Sequence, residues 1–182
     1  MLPGTLVDLR RVEPSDLPLL AEWTGDIEVN GEFERFEQTS LAEIERDFEA
    51  DPDERWYLIV DKAGTPVGYV AHGKADGGCW VGCIVVPAAR GRGYATEALR
   101  LLTDYLFLHH DMGRIQCEVH PDNAASRRLV ERVGFTCEGI LRRTHFRGGA
   151  WQDAAMYSLL REEWGGPRVL TSGPTGGAPA ES

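Results

Sequence analysis

The stretch Ile84-Val-Val-Pro-Ala-Ala-Arg-Gly-Arg-Gly-Tyr-Ala-Thr-Glu97 constrains this chain more than any other. An apolar, β-type run meets Pro87, which has no N–H to give a strand ladder. A loop carrying Arg90, Gly91, Arg92 and Gly93 follows and passes directly into a helical pattern. The glycines let backbone approach a ligand closely. The N–H groups of a helix start then face one point, where the helix dipole favours an anion. The two arginines add charge-assisted donors. Together these make a pyrophosphate cradle; the alternative is an ordinary loop leading into a capped helix. The Gly-Lys-Ser/Thr ending of a Walker loop is missing. Arg90-Gly-Arg-Gly-Tyr-Ala95 also lacks the Gly-x-Gly-x-x-Gly of a dinucleotide fold, and it follows the fourth strand rather than the first.

The rest of the chain reads as an α/β domain around that unit. Thr5–Arg10 is a first strand, and a helix opens at Pro14-Ser15-Asp16 and runs through Trp23. Residues 24–39 are acidic and irregular. Ser40 caps a second helix, with Glu43 completing a capping box. Trp56–Val60 and Pro66–Ala71 form a hairpin across Asp61–Gly64, and Trp80–Val86 is an apolar, central strand. A helix from about Ala95 is stopped by Gly113. Arg114–Val119 is a strand, Asp122 or Asn123 caps a helix ending near Val133-Gly134, and Thr136–Phe146 pairs with Trp151–Leu160. The order βααβββαβαββ gives a mixed sheet of about seven strands with four helices. Residues 1–164 form one domain. The last 18 residues, from Gly165, hold five Gly and three Pro, a composition that predicts a disordered tail.

Charge sharpens the functional reading. The net charge of −10 argues against broad binding to nucleic acid or an anionic membrane. Residues 1–60 hold 5 basic and 16 acidic side chains, whereas residues 61–182 hold 14 and 13. No run approaches the roughly 18 apolar residues of a membrane span, and no secretory signal is visible at the start. Cys79, Cys83, Cys117 and Cys137 form no CxxC pair, so no metal is expected. A cytoplasmic setting with buried free thiols follows.

The order Arg90, Gly93, Ala95, then Val119-x-x-x-Asn123, Ser126, Gly134-Phe135 and Tyr157–Leu160 resembles the GNAT superfamily of acetyl-CoA-dependent N-acetyltransferases. The branch of ribosomal-protein alanine N-acetyltransferases is the most similar. The resemblance covers most of residues 5–164. It implies a sheet splayed between the strands at 80–86 and 114–119, with pantetheine in the cleft against Ile84, Val85 and Val86. The pyrophosphate would sit on the N–H groups of Arg90, Gly91, Arg92, Gly93, Tyr94, Ala95 and Thr96, with Asn123 bonding the pantetheine or phosphate arm. Asn123 equally suits a helix cap.

Direct acetyl transfer also needs a base for the amine and an acid for the leaving thiolate. The family's usual acid is a Tyr in a Leu-Tyr-Glu run, but here the run is Leu129-Val130-Glu131. Ser126 is the candidate acid in its place, against a local first-turn hydroxyl. The usual fourth-strand Glu base is also absent. His145, Glu34, Glu118 and His120 are the candidates, with a solvent-facing hairpin His as the alternative for His145. Cys83 and Cys117 read as strand thiols, not nucleophiles. In this fold the acidic segment roofs the acceptor site, so Glu28, Glu32, Glu34 and Glu37 would attract a cationic amine and Phe33 and Phe36 would wall it; a solvated acidic loop is the alternative. The expected reaction moves an acetyl group from acetyl-CoA to a primary amine on a cationic small molecule or a peptide N-terminus. A non-catalytic CoA-binding module, or use of a different acyl-CoA shaped by Trp80 and Cys83, stays open. A homodimer is compatible with the resemblance.

Overall fold

The computed structural model describes residues 1–34, 39–50 and 53–169. Runs rich in β-branched and aromatic residues form eight strands: β1 (Leu2–Pro3), β2 (Val7–Arg11), β3 (Arg55–Asp61), β4 (Pro66–Ala75), β5 (Gly78–Val85), β6 (Arg114–Val119), β7 (Thr136–Arg147) and β8 (Ala150–Leu160). Five α-helices separate them: α1 (Leu17–Thr24), α2 (Ile27–Asn30), α3 (Leu41–Ala50), α4 (Tyr94–His109) and α5 (Ala124–Val133). The strands join in one sheet in the order β1-β2-β3-β4-β5-β6-β8-β7. Every pairing is antiparallel except β5 with β6.

Each face of the sheet has its own core. On one face α4 and α5 cover Leu9, Ile59, Val70, Ile115 and Tyr157. α4 contributes Leu99, Leu101, Leu102 and Leu106, all buried. At roughly 1.5–3 kcal/mol for each such side chain, apolar burial outweighs helix propensity in fixing α4. On the other face Leu17, Leu20 and Trp23 of α1 and Ile44 of α3 close over Leu58. The capping box at α3 forms as its spacing predicts: Ser40 N–H donates to Glu43 Oε2 at 2.8 Å, and Glu43 N–H to Ser40 Oγ at 3.3 Å.

The architecture is the expected mixed sheet, with one strand and one helix more than the sequence pattern showed. β1 is two residues long and has no alternation to read. α2 is a single turn inside the segment expected to be irregular. Asp26 Oδ1 accepts from Glu28 N–H at 2.7 Å to start it, and Gly31 at φ +77° ends it. α4 stops at His109, short of Gly113. There the Arg161 guanidinium gathers the carbonyls of Phe107, His110 and Met112 at 2.6–2.8 Å, a cation against the negative end of the helix dipole. Packing continues past Trp164. Buried Asp104 accepts from Trp164 Nε1, Arg168 N–H and Val169 N–H at 2.9–3.0 Å. Residues 170–182 of the expected tail lie outside the described residues. The four cysteines are free, as expected, but Cys137 is exposed and Cys83 only half-buried, because β7 is an edge strand and β5 lines an opening.

His72 of β4 is 7% exposed, with Tyr57 stacked 6.0 Å away and Cys79 Sγ 3.7 Å from its Nδ1. Its Nε2 is buried without a hydrogen-bond partner. Burial, with help from His110, Arg55 and Arg11, pushes its pKa down from 6.5 to about 4. The unfolded chain therefore takes up this proton first. Stability is unaffected by His72 above pH 6.5 and falls as pH drops from there toward about 4. The full loss is about 3 kcal/mol. Urea melts across that window are expected to show a steeper decline for the wild-type chain than for His72→Phe; parallel slopes would contradict this account of His72.

Candidate functional site

The sheet opens where its one parallel pairing gives out. β5 and β6 pair only at Cys79 with Ile115 and Trp80 with Gln116. Gly78 marks the closed end, since a Cβ there would run into the Arg114 carbonyl oxygen. From Val81 onward β5 has no β6 partner, and its inner backbone edge faces a cleft. A cavity of about 680 Å³ opens on one side of the splay and one of about 300 Å³ on the other. Both are bordered by Cys83, Ile84, Ser126, Leu129 and Glu34.

The larger cavity meets the N-terminus of α4. Gly91 and Gly93 stand at φ +77° and +84°, backbone that L side chains rarely adopt. Gly93 is the N-cap and has no side chain to bond this helix start. The first intrahelical bond runs from Glu97 N–H to the Gly93 carbonyl, so the N–H groups of Tyr94, Ala95 and Thr96 precede the ladder. All three residues line the cavity. The one acid in this turn is turned away: Glu97 Oε1 accepts from Leu6 N–H at 2.6 Å and from Val7 N–H at 3.3 Å. The helix start thus adds its field to a lining that also holds Arg90, Arg128, Arg132, Glu32 and Glu34.

Of the residues expected to hold the anionic ligand, Ile84, Val85, Gly91, Asn123 and Ser126 also line this cavity. Val86 does not, because its N–H stays paired with the Val67 carbonyl. Arg92 is exposed and does not line it. Arg90 lines the cavity as well, and its side chain has a second role. Its guanidinium donates to the carbonyls of Val85 at 2.9 Å, Val29 at 2.7 Å and Glu28 at 3.1 Å. Its Nε and Nη2 therefore fasten α2 to the end of β5, and Arg90 still borders the cavity. Arg128 and Arg132, four residues apart on α5, face the cavity as well. Their spacing is visible in the sequence, but which face of α5 meets the cleft is not. Asn123 Oδ1 caps α5 by accepting from Ser126 N–H at 3.0 Å, leaving its Nδ2 as a donor.

The smaller cavity is acidic and aromatic. Glu34, Glu54 and Glu118 border it, and among the described residues no Lys, Arg or His does. Trp56 and Tyr69 stack at 5.5 Å with 9° between their planes, and Trp80 adds a third aromatic wall. Burial pushes the Cys83 and Cys117 thiols up to about 12, so neither is a thiolate near neutrality. Glu54, Trp56 and Tyr69 had no sequence signal, because only the pairing of β3 with β4 brings them together.

A third space of about 90 Å³ lies beside it, bordered by Phe33, Glu34, Glu118, His120, His145 and Arg147. His145 Nε2 is 2.7 Å from Glu118 Oε2. Phe33 sits 5.0 Å from the His120 ring, with the Arg147 guanidinium 5.9 Å above it. Glu34 borders all three cavities. Burial raises the pKa of its carboxyl above the usual range, against a smaller opposing pull from His145, Arg147 and His120. Glu32 and Phe33 line the roof as expected. Glu28 does not: it is exposed, and its carbonyl is held by Arg90. Phe36 and Glu37 lie outside the described residues. Among the described residues no group of three His, Cys, Asp or Glu side chains is placed to hold a metal ion.

Comparison with known proteins gives a family. A model described as "Acetyltransferase (GNAT) domain" matches residues 7–136. The uncharacterized N-acetyltransferase YnaD of Bacillus subtilis is 26% identical over 163 residues, covering 86% of this chain and 94% of its own. The [Ribosomal protein uS5]-alanine N-acetyltransferase of Escherichia coli is 27% identical over 114 residues, covering 63% of this chain and 56% of its own. In fold, the chain is like the spermidine N-acetyltransferase of Vibrio cholerae solved with CoA and spermine. There the TM-score is 0.78 at 24% identity, covering 87% of this chain and 97% of that one.

Removing the Arg90 side chain unties α2 from β5 while leaving the loop backbone in place. Arg90→Ala is expected to cost about 1–2 kcal/mol of stability and to speed amide exchange across residues 27–34. Unchanged exchange there would mean that the three carbonyl bonds do not hold the roof.

Proposed function

The chain belongs to the GNAT acetyltransferase family and is an N-acetyltransferase; on that premise we propose that its donor is acetyl-CoA and its acceptor a cationic primary amine, joined directly in a ternary complex across the splay. The observation that carries this is the contrast in charge between two cavities that meet at Ser126. The larger is bordered by the α4 start and by Arg90, Arg128 and Arg132 against Glu32 and Glu34; the smaller is bordered by three carboxylates and, among the described residues, by no basic side chain. An anionic donor suits the first and an ammonium the second.

In this reading the pyrophosphate rests on the N–H groups of Gly91 through Thr96, where Gly93 allows the approach. The pantetheine arm lies along the unpaired edge of β5 at Ile84 and Val85, with Asn123 Nδ2 as a further donor. An acceptor ammonium enters among Glu34, Glu54 and Glu118, its stem against Trp56, Tyr69 and Trp80. One proton passes to the Glu34 and His145 side. The neutral nitrogen attacks the thioester carbonyl, and the C–S bond breaks as the N–C bond forms. The Ser126 hydroxyl gives its proton to the departing sulfur and is replenished by the second proton of the amine. A cytoplasmic setting agrees with the four free thiols. No helix of the described residues is long and apolar enough to cross a membrane.

Acetyl-CoA at about 100 times its Kd should stabilise the protein by about 2.7 kcal/mol in a thermal melt. Gly93→Val, which forces a β-branched residue into positive φ at the cradle, should lose that stabilisation. A panel of polyamines, monoamines and peptides with basic N-termini, followed by CoA release, should find an acceptor. Binding without release from any amine would make the chain a CoA-binding module. With that acceptor, Ser126→Ala should lower kcat about 10²-fold at nearly unchanged acetyl-CoA affinity; a wild-type kcat would remove Ser126 as the acid.

A further inference from the structure

The edge strand β7 breaks its register to deliver one side chain. Leu141 pairs with Ala154 of β8, yet the next paired residue, His145, faces Gln152. Two residues of β7 are thus looped out against β8. Without that insertion Arg143 would stand opposite Gln152. Arg143 itself is held at φ +55°, the one non-glycine residue at positive φ among those described. Asp153 Oδ1 accepts its N–H at 2.9 Å and fixes the bulge. A non-glycine residue in this conformation carries a conformational cost, and bulges of this kind re-aim side chains. Here the result is an imidazole, where a regular ladder would put a guanidinium that cannot take up a proton.

The re-aimed ring lands on Glu118. That carboxylate borders both the acceptor-side cavity and the small space containing His145. The His145 and Glu118 side chains are 49% and 38% exposed, so a proton on the imidazole can reach water. Besides Glu118 of β6, the charged or titratable groups bordering that space are Glu34 of the roof, His120 after β6, Arg147 of β7 and Asp153 of β8.

We propose that Glu118 is a positioning residue for His145: it accepts the Nε2–H, leaves Nδ1 as the proton acceptor, and stabilises the imidazolium formed when the acceptor ammonium is deprotonated. This rests on the acetyl-transfer reading above. The proton leaves the substrate nitrogen, crosses by way of the Glu34 carboxylate, which borders both cavities, and binds Nδ1. The imidazolium then gives it to solvent, so His145 returns to the neutral form and no other reactant is consumed. The arrangement follows the carboxylate–histidine logic in which the acid orients the ring and the ring carries the proton.

The test uses the full chain and the amine with the highest kcat/KM in the acceptor panel. His145→Gln should lower kcat about 10²-fold and abolish the rise of kcat/KM with pH that tracks imidazole deprotonation. Glu118→Gln keeps the shape but removes the anion. It should lower kcat about tenfold and move that rise to lower pH, with Glu118→Asp recovering part of both. The His145 ring proton, followed by NMR in the free enzyme, should show the same downward move in Glu118→Gln, whatever the acceptor. Acetyl-CoA stabilisation should be unchanged in all three variants, which separates this proposal from the donor site. A Glu118→Gln enzyme with the wild-type pH profile and ring titration overturns it. If acetyl-CoA fails to bind the wild-type chain, or no amine releases CoA, it is the acetyl-transfer reading that fails.

Discussion

Everything functional in this molecule depends on a parallel pairing that lasts two residue pairs. Antiparallel neighbours satisfy their ladders along their length, but β5 and β6 touch only at Cys79–Trp80 and Ile115–Gln116 and then part. A sheet that separates in its middle exposes unpaired N–H and C=O groups, which is costly unless something supplies partners. It also leaves a space between two rigid walls, each fixed by its own helix and its own antiparallel neighbours. The cleft is therefore preformed by the sheet, and loops contribute only its lid.

Two carboxylate and guanidinium contacts keep the helix start clean. Glu97 is the one acid in the first turn of α4, and it is committed to the N–H groups of Leu6 and Val7. A free carboxylate there would cancel the field that makes the start attractive to an anion. Arg90, on the other side, commits its Nε and Nη2 to three carbonyls. Positive potential at the cavity then comes from the helix start, from this tied guanidinium and from Arg128 and Arg132 of α5.

The proposed donor half of the site was legible in the sequence because it is local. Strand end, positive-φ glycines and helix start are contiguous between Ile84 and Thr96, and the Asn123 cap sits three residues before Ser126. β6 and α5 also fall where their alternation and capping place them. The proposed acceptor half was legible through Glu32, Phe33 and Glu34, which share one segment, and through Glu118 as a candidate base. Glu54 precedes β3, Trp56 lies on β3 and Tyr69 on β4, and nothing in one strand's alternation says what its neighbour will set beside it. The second role of Arg90 was hidden for the same reason: its charge is readable, but its partners on α2 lie about sixty residues earlier, on a one-turn helix too short to have a period. The bulge that places His145 was hidden because Arg142-Arg143-Thr144 carries no glycine to announce it.

The tie between Arg90 and the roof has a consequence for how such a site can change over generations. Its partners on α2 are the main-chain oxygens of Glu28 and Val29, and not their side chains. Carbonyl oxygens are the same in every amino acid. The lid can therefore exchange its side chains, and with them the shape and charge presented to an acceptor, while remaining docked at the same place over the cleft. On the proposed reading, selection can retune what is acetylated by rewriting the lid's surface, and the residues proposed to grip the donor need not be rebuilt each time.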